Sequence, residues 1–282
     1  MIRLCAFADE SSNELYGQID ALKRNGISLI ELRNINGQNV ADFSIEQAKQ
    51  YKEEFDKNGI FVWSIGSPIG KVDIDVDFDE YLNKCKHVLD LAKVFNAKHI
   101  RMFSFFNSYE KKEKVFSYLQ KMVDLAKPYG ISLCHENEKE IFGDTAERVL
   151  EIMENVDGLK YIYDPANFIQ CGEASDKTLN LFHSKSEYFH IKDVIAKTDE
   201  LVPAGHGDGD ILRLINMIDK DAVLTLEPHL AVFDAYKDID NTEMKHKFKF
   251  DSPEQAFDFA VAELKKLLNT AGYINKEGVF TK

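Results

Sequence analysis

The chain has 282 residues, 44% of them apolar and 29% charged, which is enough to bury a sizeable core. Its 35 basic and 48 acidic side chains leave a net charge of −13, which repels polyphosphate and argues against a nucleic-acid partner; the nearest basic run, Lys245, Lys247 and Lys249, is flanked by Glu243 and Asp251. No apolar run approaches the ~18 residues of a membrane helix, and residues 1–7 lack the long apolar region of a signal peptide, so a cytoplasmic protein with no membrane partner is expected.

Short apolar runs alternate with amphipathic stretches along the whole chain. A strand over 2–7 precedes a helix over 12–24, with Leu15, Ile19 and Leu22 on one face. The second pair is 29–33 and 44–57. The third is 61–65 and 78–95, where Leu82, Cys85, Leu89 and Ala92 form a single buried stripe. Strands over 99–103, 132–135, 161–164, 188–191 and 223–227 follow, with helices over 110–129, 145–155, 175–183, 211–218 and 252–270. Asp144 or Thr145 and Ser252 read as N-caps, and Pro253 suits the first helical position. The longest irregular stretch is 231–250, read equally as a lid over the active face and as a solvated excursion or oligomer contact. Cys5, Cys85, Cys134 and Cys171 form no CxxC pair and are expected as reduced thiols.

A recurring mark supports the repeat. Gly26, Gly59 and Gly130 each follow a helical stretch and precede isoleucine, and Asn96-Ala97 takes that place in the third unit. Glycine there supplies a left-handed helix stop. The marks at 26, 59, 97 and 130 are 33, 38 and 33 residues apart, the length of one strand–helix unit. Strict alternation implies a parallel sheet, and eight units close most simply into an α/β (β/α)8 TIM barrel, one domain over residues 1–282. An open doubly wound sheet would want a glycine-rich turn after the first strand, where this chain has Ala8-Asp9-Glu10-Ser11-Ser12.

Four polar residues stand where four of these strands end: Glu136, Asp164, His190 and Glu227. Each alone reads as a turn or core residue. In a closed parallel barrel, the C-terminal ends of strands five to eight form one arc of a single face. Three acids gathered there without a cation would repel one another and raise their pKa values. Three carboxylates with one imidazole suit Mn²⁺ best, with Mg²⁺, Co²⁺ or Zn²⁺ open. Arg33 ends the second strand and can neutralise a substrate phosphate or carboxylate; Arg101, nearer a strand start, reads rather as a structural ion pair. Lys192 shares the side of His190 and can polarise a substrate oxygen or pair with a ligand carboxylate, whereas Asp193 points the other way and reads as structural. His206, in a glycine-rich turn, is read either as a substrate contact or as a solvent-facing histidine. His229 is placed two residues beyond Glu227 and could line the pocket.

At these residues the chain resembles the xylose isomerase-like barrel superfamily, in particular its sugar phosphate isomerases and epimerases. Four segments carry the resemblance: His135-Glu136-Asn137-Glu138 with the trailing Phe142-Gly143-Asp144-Thr145; Tyr163-Asp164-Pro165-Ala166-Asn167; Phe189-His190-Ile191-Lys192-Asp193; and the turn from Gly205 to Ile211. The resemblance implies that Glu136, Asp164, His190 and Glu227 hold one divalent metal. It implies that Glu136 and Glu227 also move a substrate proton through a metal-stabilised enediolate, and it puts Asn167 near the substrate. Glu138 departs from the pattern, since many relatives carry histidine there. The implied function is an isomerase or epimerase of a small sugar, sugar phosphate or keto-polyol, with an inosose-type dehydratase or a non-catalytic metal- or ligand-binding barrel as alternatives. A nuclease like the endonuclease IV branch would need more histidines at the face. Barrels of this type often pair, so a homo-oligomer stays open.

Overall fold

Eight parallel strands close into a barrel in the computed structural model, which describes residues 1–231 and 248–282. They are β1 (Ile2–Ala6), β2 (Leu29–Leu32), β3 (Phe61–Ile65), β4 (His99–Met102), β5 (Ser132–Glu136), β6 (Lys160–Tyr163), β7 (Tyr188–Ile191) and β8 (Ala222–Leu226). Each pairs with the next, and β8 pairs with β1 from Ile2↔Ala222 to Ala6↔Leu226, so the ring closes. This is the (β/α)8 TIM barrel expected from the alternation.

Helices α1 (Leu15–Arg24), α2 (Ile45–Lys57), α3 (Phe78–Phe95), α4 (Lys112–Ala126), α5 (Ala146–Asn155), α6 (Pro165–Gln170), α7 (Ser175–Phe182), α8 (Ile211–Met217) and α9 (Pro253–Thr270) join the strands. Ser44, Thr145 and Ser252 cap α2, α5 and α9 through their side chains, and Ser44 with Gln47 completes a capping box. The punctuation residues are left-handed: φ is 61° at Gly26, 70° at Gly59, 65° at Gly130 and 57° at Asn96. The lid expected over 231–250 falls, at 232–247, outside the described residues, as do Glu243, Lys245, His246 and Lys247.

The strands alternate between two cores, as period-two pleating requires. Leu4, Ile30, Leu133 and Leu224 belong to the large core shared with the helices. Cys5, Leu29, Cys134, Ile162, Tyr188 and Val223, with Trp63 against them, form a separate apolar plug. No disulfide joins the cysteines, and Cys5, Cys85 and Cys134 are buried. Burial, the largest cause, pushes the Cys5 and Cys134 thiols well up.

Sequence reading missed α6 and two further features. Between Ile30 and Glu31 the β2–β3 register slips, so Glu31 stands opposite Ser64 and Trp63 is skipped. A hairpin of Ile274–Lys276 and Val279–Thr281 pairs antiparallel with β1 at Ile2↔Phe280 and Arg3↔Val279, while β1 meets β2 only at Cys5 and Ala6. The hairpin thus occupies the N-terminal end of the β1–β2 seam. Among the described residues no helix is long and apolar enough to cross a membrane.

Candidate metal centre

Two positions along each strand from the apolar plug, the side chains turn polar. Glu31 follows Leu29, Glu136 follows Cys134, Asp164 follows Ile162, His190 follows Tyr188, and Glu227 lies two past Thr225. All five are buried. Glu136 closes β5, and Asp164 and Glu227 directly follow β6 and β8. His190 sits one residue inside the end of β7. Asp164 also caps α6: its Oδ1 accepts from Asn167 N at 3.1 Å, and Pro165 takes the first helical position. Asn137 ties the two strand ends together, donating from Nδ2 to Asp164 O (2.8 Å) and accepting at Oδ1 from Asp164 N (3.0 Å) and the Tyr161 hydroxyl (2.7 Å).

One ligand atom each from Glu136, Asp164, His190 and Glu227 lies within 4.8 Å of all the others. His190 Nδ1 faces Glu136 Oε1 at 2.8 Å and Glu227 Oε2 at 3.2 Å, and its Nε2 faces Glu31 Oε2 at 3.1 Å. Three buried cations neutralise the acids. Lys192 Nζ lies 3.1 Å from Asp164 Oδ2 and 3.9 Å from Glu227 Oε2. Arg101 reaches Glu136 (3.2 Å) and Glu227 (3.4 Å). Arg33 reaches Glu227 (3.1 Å), Asp9 (2.8 Å) and Glu10 (3.4 Å).

The electrostatics follow from burial set against these partners. Burial works against the charged form of Lys192, but Asp164 and Glu227 hold it well above the usual lysine range. Asp164 is nonetheless pushed up to about 7, because burial, together with Glu136 and Glu227, outweighs the one ammonium beside it. Glu227 goes the other way: burial raises it, yet Lys192, His190 and His229 together hold it well below the usual carboxylate range. Burial disfavours a charged His190, but Glu136 and Glu31 on opposite ring nitrogens hold it well above an ordinary histidine. Glu10 rises to about 8 by burial, with Glu227 and Asp9 adding to the effect against Arg33.

The group passes the chemical test for a divalent cation. Its donors are three carboxylates and an imidazole, a hard set with one nitrogen. Asp164 Oδ2 and Glu227 Oε2 are buried and accept no hydrogen bond, meeting only ion-pair contacts from Lys192 and His190. Two buried carboxylate oxygens converging with an imidazole nitrogen leave acceptor capacity that a cation can take up.

Of the other residues singled out in the sequence, Asn167 lies at the cluster, with Nδ2 3.4 Å from Glu136 Oε1 and 2.8 Å from Asn137 O. Lys192 and Arg33 are also there, but their nearest partners are the protein's own carboxylates. Arg101 joins them, three residues into a four-residue strand. His206 is engaged elsewhere: its Nε2 meets Glu263 of α9 at 3.0 Å and its ring packs on Phe248. His229 is buried at the rim, 3.4 Å from Glu10 and 3.5 Å from Glu227, and these three form a second, smaller group with metal-ligand side chains. Glu138 pairs with Lys71 at 3.2 Å. Asp193 turns outward and accepts four backbone N–H bonds, from Val194, Gly205, Gly207 and Gly209. Sequence reading overlooked Glu31, Asp9, Glu10 and Lys71. The signal for Glu31 was present, an acid in the middle of a wholly buried strand.

A closed parallel barrel carrying buried acids and an imidazole at its strand ends defines the class: an α/β barrel with a cluster able to hold a cation. The chain belongs to the xylose isomerase-like TIM barrel family, whose model matches residues 19–246. Among solved structures it is similar to the probable 3-DHS dehydratase AsbF, involved in petrobactin synthesis, from Bacillus anthracis (17% identity, 95% of this chain and 98% of that one, TM-score 0.68). It is also similar to the IolI protein with a zinc atom (18%, 95% and 97%, TM-score 0.68) and to D-psicose 3-epimerase solved in the presence of D-fructose (14%, 94% and 99%, TM-score 0.71). At these identities the likeness establishes the fold alone. No curated protein matches the chain.

Proposed function

We propose that this protein is a metal-dependent isomerase or epimerase of a small sugar, sugar phosphate or related keto-polyol. The observation that carries the reading is the convergence of Glu136, Asp164, His190 and Glu227 within 4.8 Å, with Asp164 Oδ2 and Glu227 Oε2 lacking hydrogen bonds. A divalent ion held there, Mn²⁺ by preference and Mg²⁺, Co²⁺ or Zn²⁺ otherwise, supplies a positive charge for the negative charge that develops on substrate oxygens. Glu227, kept ionised by Lys192, His190 and His229, is the base that takes the proton next to the substrate carbonyl. Glu136, tied to Arg101 and Asn167, is the second proton carrier. Lys192 donates from Nζ to a substrate oxygen while keeping Asp164 in place. IolI with its zinc atom, and an epimerase solved with a sugar, are relatives compatible with this chemistry.

The test is a metal-supplemented screen of ketoses, ketose phosphates and inososes in D₂O, read by NMR. The expected result is solvent exchange at the α-carbon with conservation of mass, abolished in Glu227→Gln with the fold intact. Loss of water from the substrate instead would assign the dehydratase reading. A native protein that takes up no divalent ion after Mn²⁺ loading refutes both.

A further inference from the structure

We infer that Glu31 is the positioning residue of the centre: it holds the His190 imidazole with its proton on Nε2, so that Nδ1 is the ligand atom. The inference rests on the metal reading above and assigns a role to a side chain outside the four-residue group.

Glu31 lies mid-strand in β2 and is fully buried. Its carboxylate is held at both ends. Oε1 accepts from the Tyr188 hydroxyl at 2.9 Å and the Ser64 hydroxyl at 3.3 Å, and these two hydroxyls are themselves 3.0 Å apart. That leaves Oε2 for His190 Nε2, at 3.1 Å. The register slip at Ile30/Glu31 sets Glu31 opposite Ser64, which brings this donor to it. Bulges of this kind re-aim side chains beside functional sites.

A carboxylate is an expensive occupant for a barrel interior whose neighbouring layer is Cys5, Leu29, Cys134 and Ile162. A purely structural role would be filled at lower cost by an apolar side chain. A carboxylate behind a metal-binding histidine has a specific use: it accepts the N–H of the distal nitrogen, fixes the tautomer and raises the basicity of the other nitrogen. Here the other nitrogen, Nδ1, already faces Glu136 Oε1 (2.8 Å) and Glu227 Oε2 (3.2 Å), where the ligand atoms converge. The edge of the Phe7–His190 pair, with ring centroids 5.2 Å apart at 82°, holds the imidazole plane from a third side.

Glu31→Gln keeps the shape and an acceptor for Nε2–H but removes the charge. Calorimetric titration of the folded variant with Mn²⁺ should show it binding about 10- to 100-fold more weakly than wild type. A role in packing alone would lower metal-free stability and leave affinity unchanged, and that result overturns the assignment. A second measurement needs no variant: in Zn²⁺-loaded wild type, ¹⁵N NMR of His190 should show a protonated Nε2 and a proton-free Nδ1. The opposite tautomer overturns the assignment on its own. Wild type that binds neither Mn²⁺ nor Zn²⁺ refutes the metal reading itself, whereas equal affinities in wild type and Glu31→Gln refute only the role of Glu31.

Discussion

Replacing Asp193 by asparagine should loosen the whole turn that follows β7. Asp193 Oδ1 accepts from Val194 N and Gly209 N, both at 2.9 Å, and Oδ2 from Gly205 N at 2.8 Å and Gly207 N at 3.1 Å. Asparagine keeps one oxygen and presents an NH₂ group to the other two amides, so two charge-assisted bonds are lost at roughly 1.5–3 kcal/mol each. Burial, the largest influence, holds the Asp193 carboxyl above the ordinary range even against its four donors. The carboxylate's own desolvation therefore offsets part of the loss, and the lower end, about 3 kcal/mol, is expected. With an unfolding entropy near 2.1 cal/mol/K per residue, a barrel of this length should lose about 5 °C in Tm. The assay is a thermal scan paired with limited proteolysis, which should show new cleavage between Val202 and Asp210. Gly207→Ala attacks the same node from the other side, since its Cβ would lie 2.4 Å from Asp193 Oδ1. Asp193→Asn with unchanged Tm and unchanged cleavage would refute the view that this carboxylate organises the turn.

Saturating the centre with Mn²⁺ at about 100 times Kd should stabilise the protein by about 2.7 kcal/mol, a rise of 4–5 °C in Tm; the double variant Glu136→Gln, Asp164→Asn should show no rise. Gly70→Ala should destabilise by at least about 3 kcal/mol in urea unfolding, because φ is +90° and the new Cβ would lie 2.1 Å from Phe103 O. His135 is held down to about 3 by burial, so the buried neutral ring contributes stability that is complete above the unfolded pKa and is lost as pH falls from there toward 3. With an unfolded pKa of about 6.5, the stability difference between wild type and His135→Gln should shrink by about 2 kcal/mol from pH 7 to pH 5, read from paired urea titrations.

The barrel was legible in the sequence because its signals are local and repeated. Gly26, Gly59, Asn96 and Gly130 take the left-handed conformation that a helix stop demands, and strand limits shift by only a residue or two. The four strand-end residues were legible because an acid or histidine at the edge of an apolar run stands out. Glu31 shows in the sequence as an acid within an apolar strand, but its partners were hidden, since the register slip that sets Ser64 opposite it leaves no trace in the spacing of β2. Arg33 reads in sequence as a free cation for a substrate anion; only the turn after β1 shows that Asp9 and Glu10 reach it first. His206 illustrates the same limit, since the glycines around it do not show that Glu263 on α9 is its partner. The C-terminal hairpin was missed because its pairing partner, β1, lies at the other end of the sequence.

That hairpin makes completion of the barrel a late event. On the side of β1 that faces β2, Ile2 and Arg3 find partners in Phe280 and Val279, far along the sequence, so the lower part of that edge waits on the hairpin for its hydrogen bonds. Closing so large a loop carries an entropy penalty that no local contact offsets, and until it closes β1 presents a bare edge on which another chain can template. The upper part of that edge is paired with Leu29 and Ile30 of β2, and the opposite edge of β1 is paired with β8 along its whole length, so neither shares that dependence. The ring that carries the acids can therefore assemble before the floor of the barrel is latched, and fraying of the latch need not reach the buried cluster above it.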